Sequence, residues 1–272
     1  MALLQIGEVF GHDTAVPVTR PTQKLHPCPF RGNDCAKGGK TDPLGICSLT
    51  EGRVATVVCP VRFLEGGIMF RDAARIAFGE GITCAAVPEV RVLEVLREGK
   101  RKKIGKVDFL LTRVEGGKAV DFAALEVQAV YISGKTIRPA FDQYVRTGVL
   151  TDAGKRRPDF RSSAQKRLMP QLALKVPIFR RWGKSFFVAT DSTFFSELPT
   201  MNPQSAGNGE VTWLSYDFER QSEGGYRMRP PKVVHTLWDD VETALREGKA
   251  PEKSELLAQL TESAMKLQSF TT

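Results

Sequence analysis

Two acidic side chains stand inside apolar strand-like stretches of this 272-residue chain. Asp108 lies near the start of Val107-Asp-Phe-Leu-Leu-Thr112, and Glu126 and Gln128 interrupt Phe122-Ala-Ala-Leu-Glu-Val-Gln-Ala-Val130. A carboxylate in a half-buried strand is costly unless a partner meets it. Two of them on neighbouring strands point to a divalent cation, which carboxylate oxygens bind well.

The turn between the strands decides whether they meet. Glu115-Gly-Gly-Lys118 is a hairpin signal. With a plain two-residue loop, Asp108 pairs with Leu125 and Glu126 points to the other face. Glu126 and Gln128 share a face by the two-residue strand period. Bringing Asp108 to that face requires an odd loop or one bulge, and the glycine pair can supply either. The alternative is a strand end with ordinary polar exposure. The apolar neighbours of Glu126 argue against it.

The cysteines form a second constellation. Cys28, Cys35, Cys47 and Cys59 lie close together in sequence, and Cys84 stands apart among alanines and valine, where an inert, buried thiol is expected. Turn formers fill the intervals: Arg31-Gly-Asn-Asp34, Gly38-Gly39 and Asp42-Pro-Leu-Gly45. So polar a segment is not expected to order itself by burial, and four thiolates on one tetrahedral metal could supply the missing free energy. The gaps lack a Cys-x-x-Cys knuckle, so this is not a standard zinc ribbon, and scattered free cysteines remain an alternative. His26 could replace one ligand. Iron and zinc both accept tetrahedral sulfur. His12, His26 and His235 form no pair at metal spacing.

Composition narrows the partners. A 42% hydrophobic content supports a packed core, and the net charge of +8 favours an anionic partner. The charge is clustered. Arg97, Lys100, Arg101, Lys102, Lys103 and Lys106 run into Asp108. Lys155, Arg156, Arg157, Arg161, Lys166 and Arg167 form a second group, and Arg180, Arg181 and Lys184 a third. They read either as solvated faces or as phosphate contacts beside the site; the adjacent carboxylates favour the second reading. The N-terminal apolar run is too short for a signal peptide and no run reaches the ~20 residues of a membrane span. A cytoplasmic protein with reduced cysteines and no membrane partner is expected.

Around these residues the pattern predicts a helix over 65–78, strands over 87–96, 104–113 and 119–131, a helix over 137–150, a second over 162–174 bent near Pro170, and a strand over 184–190. Further on, 211–217 and 226–229 suggest a hairpin around Gly224-Gly225, followed by helices over 236–245 and 252–267. Trp182, Trp213 and Trp238 read as packing residues, and Tyr131, Gln143 and Tyr144 as core or helix-surface residues. The order helix, three strands, helix, strand predicts a mixed sheet flanked by helices, α+β in class. Three regions are expected: an N-terminal cysteine segment (1–62), a core (63–195), and C-terminal elements (196–272) that pack on the core or at a dimer interface.

Asp108 followed by Glu126-x-Gln128 resembles the PD-(D/E)xK nuclease motif with Gln in place of Lys. The longer phrases Gly105-Lys-Val-Asp108 and Ala124-Leu-Glu-Val-Gln-Ala-Val-Tyr131, with the upstream cysteines, resemble NotI-type restriction endonucleases over about residues 25–190. That resemblance implies Mg²⁺ on Asp108 and Glu126, the Val127 carbonyl as a third ligand, and Gln128 as the third catalytic residue. It also implies a structural metal on Cys28, Cys35, Cys47 and Cys59, iron before zinc. A further acid, Glu89 or one on the early helix, could join the Mg²⁺. The implied activity is cleavage of double-stranded DNA at a specific, palindromic site by a homodimer, with a companion DNA methyltransferase. The rivals are a nickase or repair nuclease on the same core, and a non-catalytic, metal-stabilised DNA-binding protein.

Overall fold

Alternating apolar residues bounded by tight turns build most of the strands, and two six-stranded sheets result. The computed structural model describes residues 4–17, 27–39, 41–134, 136–151, 156–246 and 251–262. His26 and Lys155, both named above, lie outside the described residues, as does 263–267 of the last expected helix.

One sheet is antiparallel and holds the N-terminal region. It contains β1 (Gln5–Val9), β2 (His12–Asp13), β3 (Ile46–Glu51) and β4 (Val54–Val57). Ile6, Ile46, Leu49, Ala55 and Val57 are fully or nearly fully buried. The expectation that this region lacks burial therefore fails for 46–57; only the loops carrying Cys28 and Cys35 are poor in apolar residues. A buried ion pair braces it. Arg62, in a short 3-10 turn after β4, holds Glu8 at 3.0 Å, Glu65 at 2.6 Å and the Tyr226 carbonyl at 2.7 Å.

The site belongs to the other sheet. After α1 (Ile68–Phe78) come β5 (Cys84–Arg97), β6 (Lys100–Glu115) and β7 (Lys118–Gln128), an antiparallel meander as expected. β8 (Tyr131–Gly134), α2 (Arg138–Thr147) and β9 (Arg156–Asp159) form a side unit in which β8 pairs with β9. A helical stretch then runs through α3 (Phe160–Ser162), a π-helical segment Ser163–Leu168 and α4 (Met169–Arg181). The helix expected to end at 174 therefore continues to Arg181. Pro170 sits in the first turn of α4, where its missing N–H costs little, and the π segment takes up the irregularity before it.

β10 (Phe186–Asp191) lies parallel to β7, and α5 (Ser192–Ser196) follows. β11 (Val211–Tyr216) lies parallel to β10, while β12 (Phe218–Arg220) and β13 (Tyr226–Met228) pair with each other in the N-terminal sheet. The hairpin expected between 211–217 and 226–229 is thus corrected. Val211, Trp213 and Leu214 are fully buried in the central sheet, with β10 and β14 (Lys232–Thr236) on the strand's edges and both of its faces covered. β14 closes the sheet on that side, and α6 (Trp238–Arg246) and α7 (Lys253–Glu262) follow. The central order is β14-β11-β10-β7-β6-β5, a mixed sheet in an α+β fold. Leu172, Val176 and Phe179 of α4 cover one face with Val241 of α6. Met69 and Ala73 of α1, with residues of the N-terminal sheet, cover the other.

Candidate active site on the central sheet

The β6–β7 turn is two residues long, Glu115 opposing Lys118, with Gly116 and Gly117 both in the left-handed region that a type I′ turn demands. That loop alone would separate the carboxylates. The register then shifts: Val114 opposes Ala119, but Arg113 opposes Asp121. Val120 is the extra residue, a bulge. Beyond it Leu110 opposes Ala124 and Phe109 opposes Leu125, so the next positions in register are Asp108 and Glu126. The bulge required by the sequence pattern is present, one step beyond the turn.

Asp108 accepts the Val127 amide at 2.9 Å through Oδ2. This ties the carboxylate to the main chain beside Glu126 at the end of the β6–β7 ladder. Glu126 is only 2% exposed. Its Oε1 accepts from Lys175 Nζ at 2.6 Å, and its buried Oε2 has no hydrogen-bond partner among the described residues. Burial, then repulsion from Asp108, pushes the Glu126 carboxyl up to about 7 against the pull of Lys175. An orphaned, buried carboxylate oxygen beside a second carboxylate suits a hard cation, and the residues present fit one. Among the described residues no three His, Cys, Asp or Glu side chains gather closely enough to hold a metal. A third protein ligand for this pair would therefore be a main-chain oxygen.

Gln128 is buried on the same strand, but its Nε2 donates to the Ala129 carbonyl at 2.6 Å. No hydrogen bond joins it to Asp108 or Glu126. The cation meeting Glu126 comes instead from α4, and the sequence reading missed it. Lys175 is 4% exposed and falls on the buried stripe of Leu172, Val176 and Phe179. A lysine on an apolar helical stripe is the signal that could have found it. It also bonds Gln171 at 3.4 Å.

Neither candidate for a further acid joins the pair. Glu89 holds Lys106 at 2.7 Å in solvent. Asp72 of α1 takes the Tyr216 hydroxyl at 3.2 Å, among residues packed on the opposite face of the sheet from α4.

The cysteines neighbour one another without forming a ligand group. All five are free thiols. Cys47 lies in β3, and Cys59 precedes the 3-10 turn. Burial raises the Cys35 thiol, and Cys59 and Cys28 add to it; burial raises Cys47 strongly, with Glu8 and Cys59 contributing. Burial lowers the Lys37 ammonium against the pull of Cys59, Cys47 and Cys35, and it donates to the Val58 carbonyl. A formed four-cysteine centre is therefore not present in this arrangement.

The basic clusters also separate. Arg156 is 1% exposed and donates to the Thr136 carbonyl at 3.2 Å, so burial removes it from any outer phosphate surface. Arg167 is exposed and lies over the Tyr131 ring. Arg180 pairs with Glu210 at 2.7 Å and Lys184 with Asp121 at 2.5 Å. The first cluster lies on β5 and β6, next to Asp108. Trp213 and Trp238 are buried, as expected of packing residues, while Trp182 is 45% exposed. No helix among the described residues is long and apolar enough to cross a membrane.

No curated protein matches the chain. The family model described as restriction endonuclease NotI matches residues 8–228, which include Asp108, Glu126, Gln128, Lys175 and all five cysteines. The chain belongs to the NotI restriction endonuclease family.

Proposed function

We propose that this protein is a type II restriction endonuclease that hydrolyses double-stranded DNA at a specific, palindromic site with Mg²⁺. The observation that carries the reading is Asp108 beside a buried Glu126 whose Oε2 lacks a partner. Asp108, Glu126 and the Val127 carbonyl would hold the cation, which when bound supplies positive charge to the phosphate and acidifies a water. The chain's own residues set the rest. The Val127 amide fixes Asp108. The α4 and β10 side chains keep bulk water from Glu126, and Lys175 holds one of its oxygens so that the other faces the site. Gln128 is the third motif residue; as a neutral amide it offers orientation and no charge.

A homodimer fits a palindrome, because two-fold symmetry in the protein meets two-fold symmetry in the duplex. A companion methyltransferase would protect the same site in host DNA. Cys28, Cys35, Cys47 and Cys59 supply the donors a structural iron or zinc prefers, and Lys37 would withdraw when that metal binds. Plasmid and genomic DNA are incubated with Mg²⁺, beside Glu126→Ala and EDTA controls. Discrete fragments that vanish in both controls support the reading. Salt-sensitive duplex binding with no cutting of any DNA would favour the non-catalytic binding protein.

A further inference from the structure

Among the described residues, β6 has a second neighbour only along part of its length. β7 pairs with it from Phe109 to Glu115. From Lys100 to Val107, β6 pairs with β5 alone, in unbroken register from Val90↔Val107 to Arg97↔Lys100. Glu98 and Gly99 close the end with both backbones left-handed, a type I′ turn. The result is a two-stranded ribbon that extends about 25 Å past Asp108, at ~3.3 Å per residue. Val92 and Val107 anchor its root against the α4-side core. Beyond them, both faces from Glu94 to Lys103 are exposed.

Such a ribbon buries too little to be stable for its own sake, and its side chains suggest what it meets. Residues 89–106 hold seven cations against three carboxylates. Arg101 pairs with Glu94 and Lys106 with Glu89; Arg91, Arg97, Lys100, Lys102 and Lys103 make no ion pair among the described residues. Leu96, beside the tip, is 75% exposed. At the root both strands depart from regular extension: Glu89, opposite Asp108 in register, has φ 58°, and Gly105 has φ 63° against the Leu93 side chain. A left-handed backbone at a non-glycine residue is uncommon in a strand.

We propose that this ribbon is a DNA arm that lies in the major groove beside the scissile phosphate. The inference rests on the nuclease reading above and deepens it. The major groove, about 12 Å wide, admits a two-stranded β-ribbon. The unpaired cations match its phosphate walls, and Leu96 suits a thymine methyl. The arm leaves the sheet at Asp108, so duplex gripped along it passes the carboxylate pair.

The test uses the full chain carrying Asp108→Ala, which binds without cutting, and compares it with the same chain also carrying Lys100→Gln, Arg101→Gln, Lys102→Gln and Lys103→Gln. Glutamine keeps the ribbon's length, and an unchanged melting curve confirms folding. A Leu96→Ala chain provides a second variant. Duplex affinity is measured against salt concentration, with methylation interference at guanine N7 for the major groove and adenine N3 for the minor groove as the groove-specific readout. The slope of log K against log salt should fall by about 3 to 4 in the quadruple variant, and the N7 interference sites should be lost. Leu96→Ala should weaken binding several-fold and keep the slope. Equal affinity and slope in all chains, or interference confined to the minor groove, overturns the arm; if the wild-type chain still cuts with Mg²⁺, the nuclease reading survives. If the wild-type chain neither cuts nor binds duplex DNA, both fall.

Discussion

Lys175 Nζ stands 2.6 Å from Glu126 Oε1, with both side chains at most 5% exposed. The pair joins the middle of α4 to the end of β7. It places a positive charge where the motif strand offers only the neutral Gln128. Two buried charges at this distance compensate each other's desolvation, so removing either leaves the other uncompensated.

Lys175→Ala is therefore expected to destabilise the apo protein by about 3–5 kcal/mol and to lower single-turnover DNA cleavage by at least tenfold at temperatures where it stays folded. Lys175→Met, which keeps the packing, should recover part of the stability and none of the rate. Urea unfolding and a rapid-quench assay measure the two effects. Full activity in Lys175→Met would show that the ammonium does nothing for the site.

The bulge gives an independent test of the carboxylate pairing. Val120 is 46% exposed, so Val120→Ala should be silent in stability and cleavage. Deleting Val120 removes the bulge and leaves Asp108 opposite Glu126 in a plain ladder, so cleavage should persist, whereas inserting one alanine after Val120 moves Leu125 opposite Asp108 and should abolish cleavage while the protein remains folded. Cleavage by the insertion variant at the parent rate would refute this register.

The protonation of Glu126 predicts two pH dependences. Its carboxyl is raised from the ordinary 4.5 to about 7 in the folded chain. The unfolded chain therefore loses this proton first, and the contribution to apo stability declines as pH rises from about 4.5 to about 7. Glu126→Gln should remove that decline in a series of thermal melts. Cation binding needs the ionised form, so Mg²⁺ affinity and cleavage should rise about tenfold per pH unit below pH 7 and then level off. A flat cleavage profile from pH 5.5 to 8 would contradict the assignment.

Asp191 offers a structural counterpart. It is fully buried at the end of β10, accepts the Phe194 amide at 2.9 Å as the cap of α5, and takes the Val57 amide of the neighbouring sheet at 3.3 Å. Burial pushes it up to about 6, so its contribution to stability falls between about pH 4 and 6 as pH rises. Asp191→Ala should cost about 1–3 kcal/mol, because it leaves two buried amides without an acceptor. Asp191→Asn should retain most of the stability and flatten that pH window. Calorimetry across pH 4–7 decides.

Local pattern in the chain determined a good deal. The meander β5-β6-β7, α1, α2 and β10 follow from strand and helix periods bounded by glycine turns, and those signals are contained within short windows. Asp108, Glu126 and Gln128 were legible because polar groups inside apolar strands stand out. Strand parity even required a bulge or an odd loop. What only tertiary structure decided are relations between distant segments. Nothing near Glu126 in sequence announces Lys175, which is 49 positions away on another element. Val211–Tyr216 joined the central sheet as a strand buried along its whole length, covered on both faces by α-helices and the other sheet. Arg156 became an internal cation because its backbone bridges to Leu4, a contact no charge count reveals. The cysteine spacing stated which donors exist, and the folded chain set how far apart they lie. Composition and period act over a few residues; burial and ion pairing are properties of neighbours in space, and the fold alone selects those neighbours.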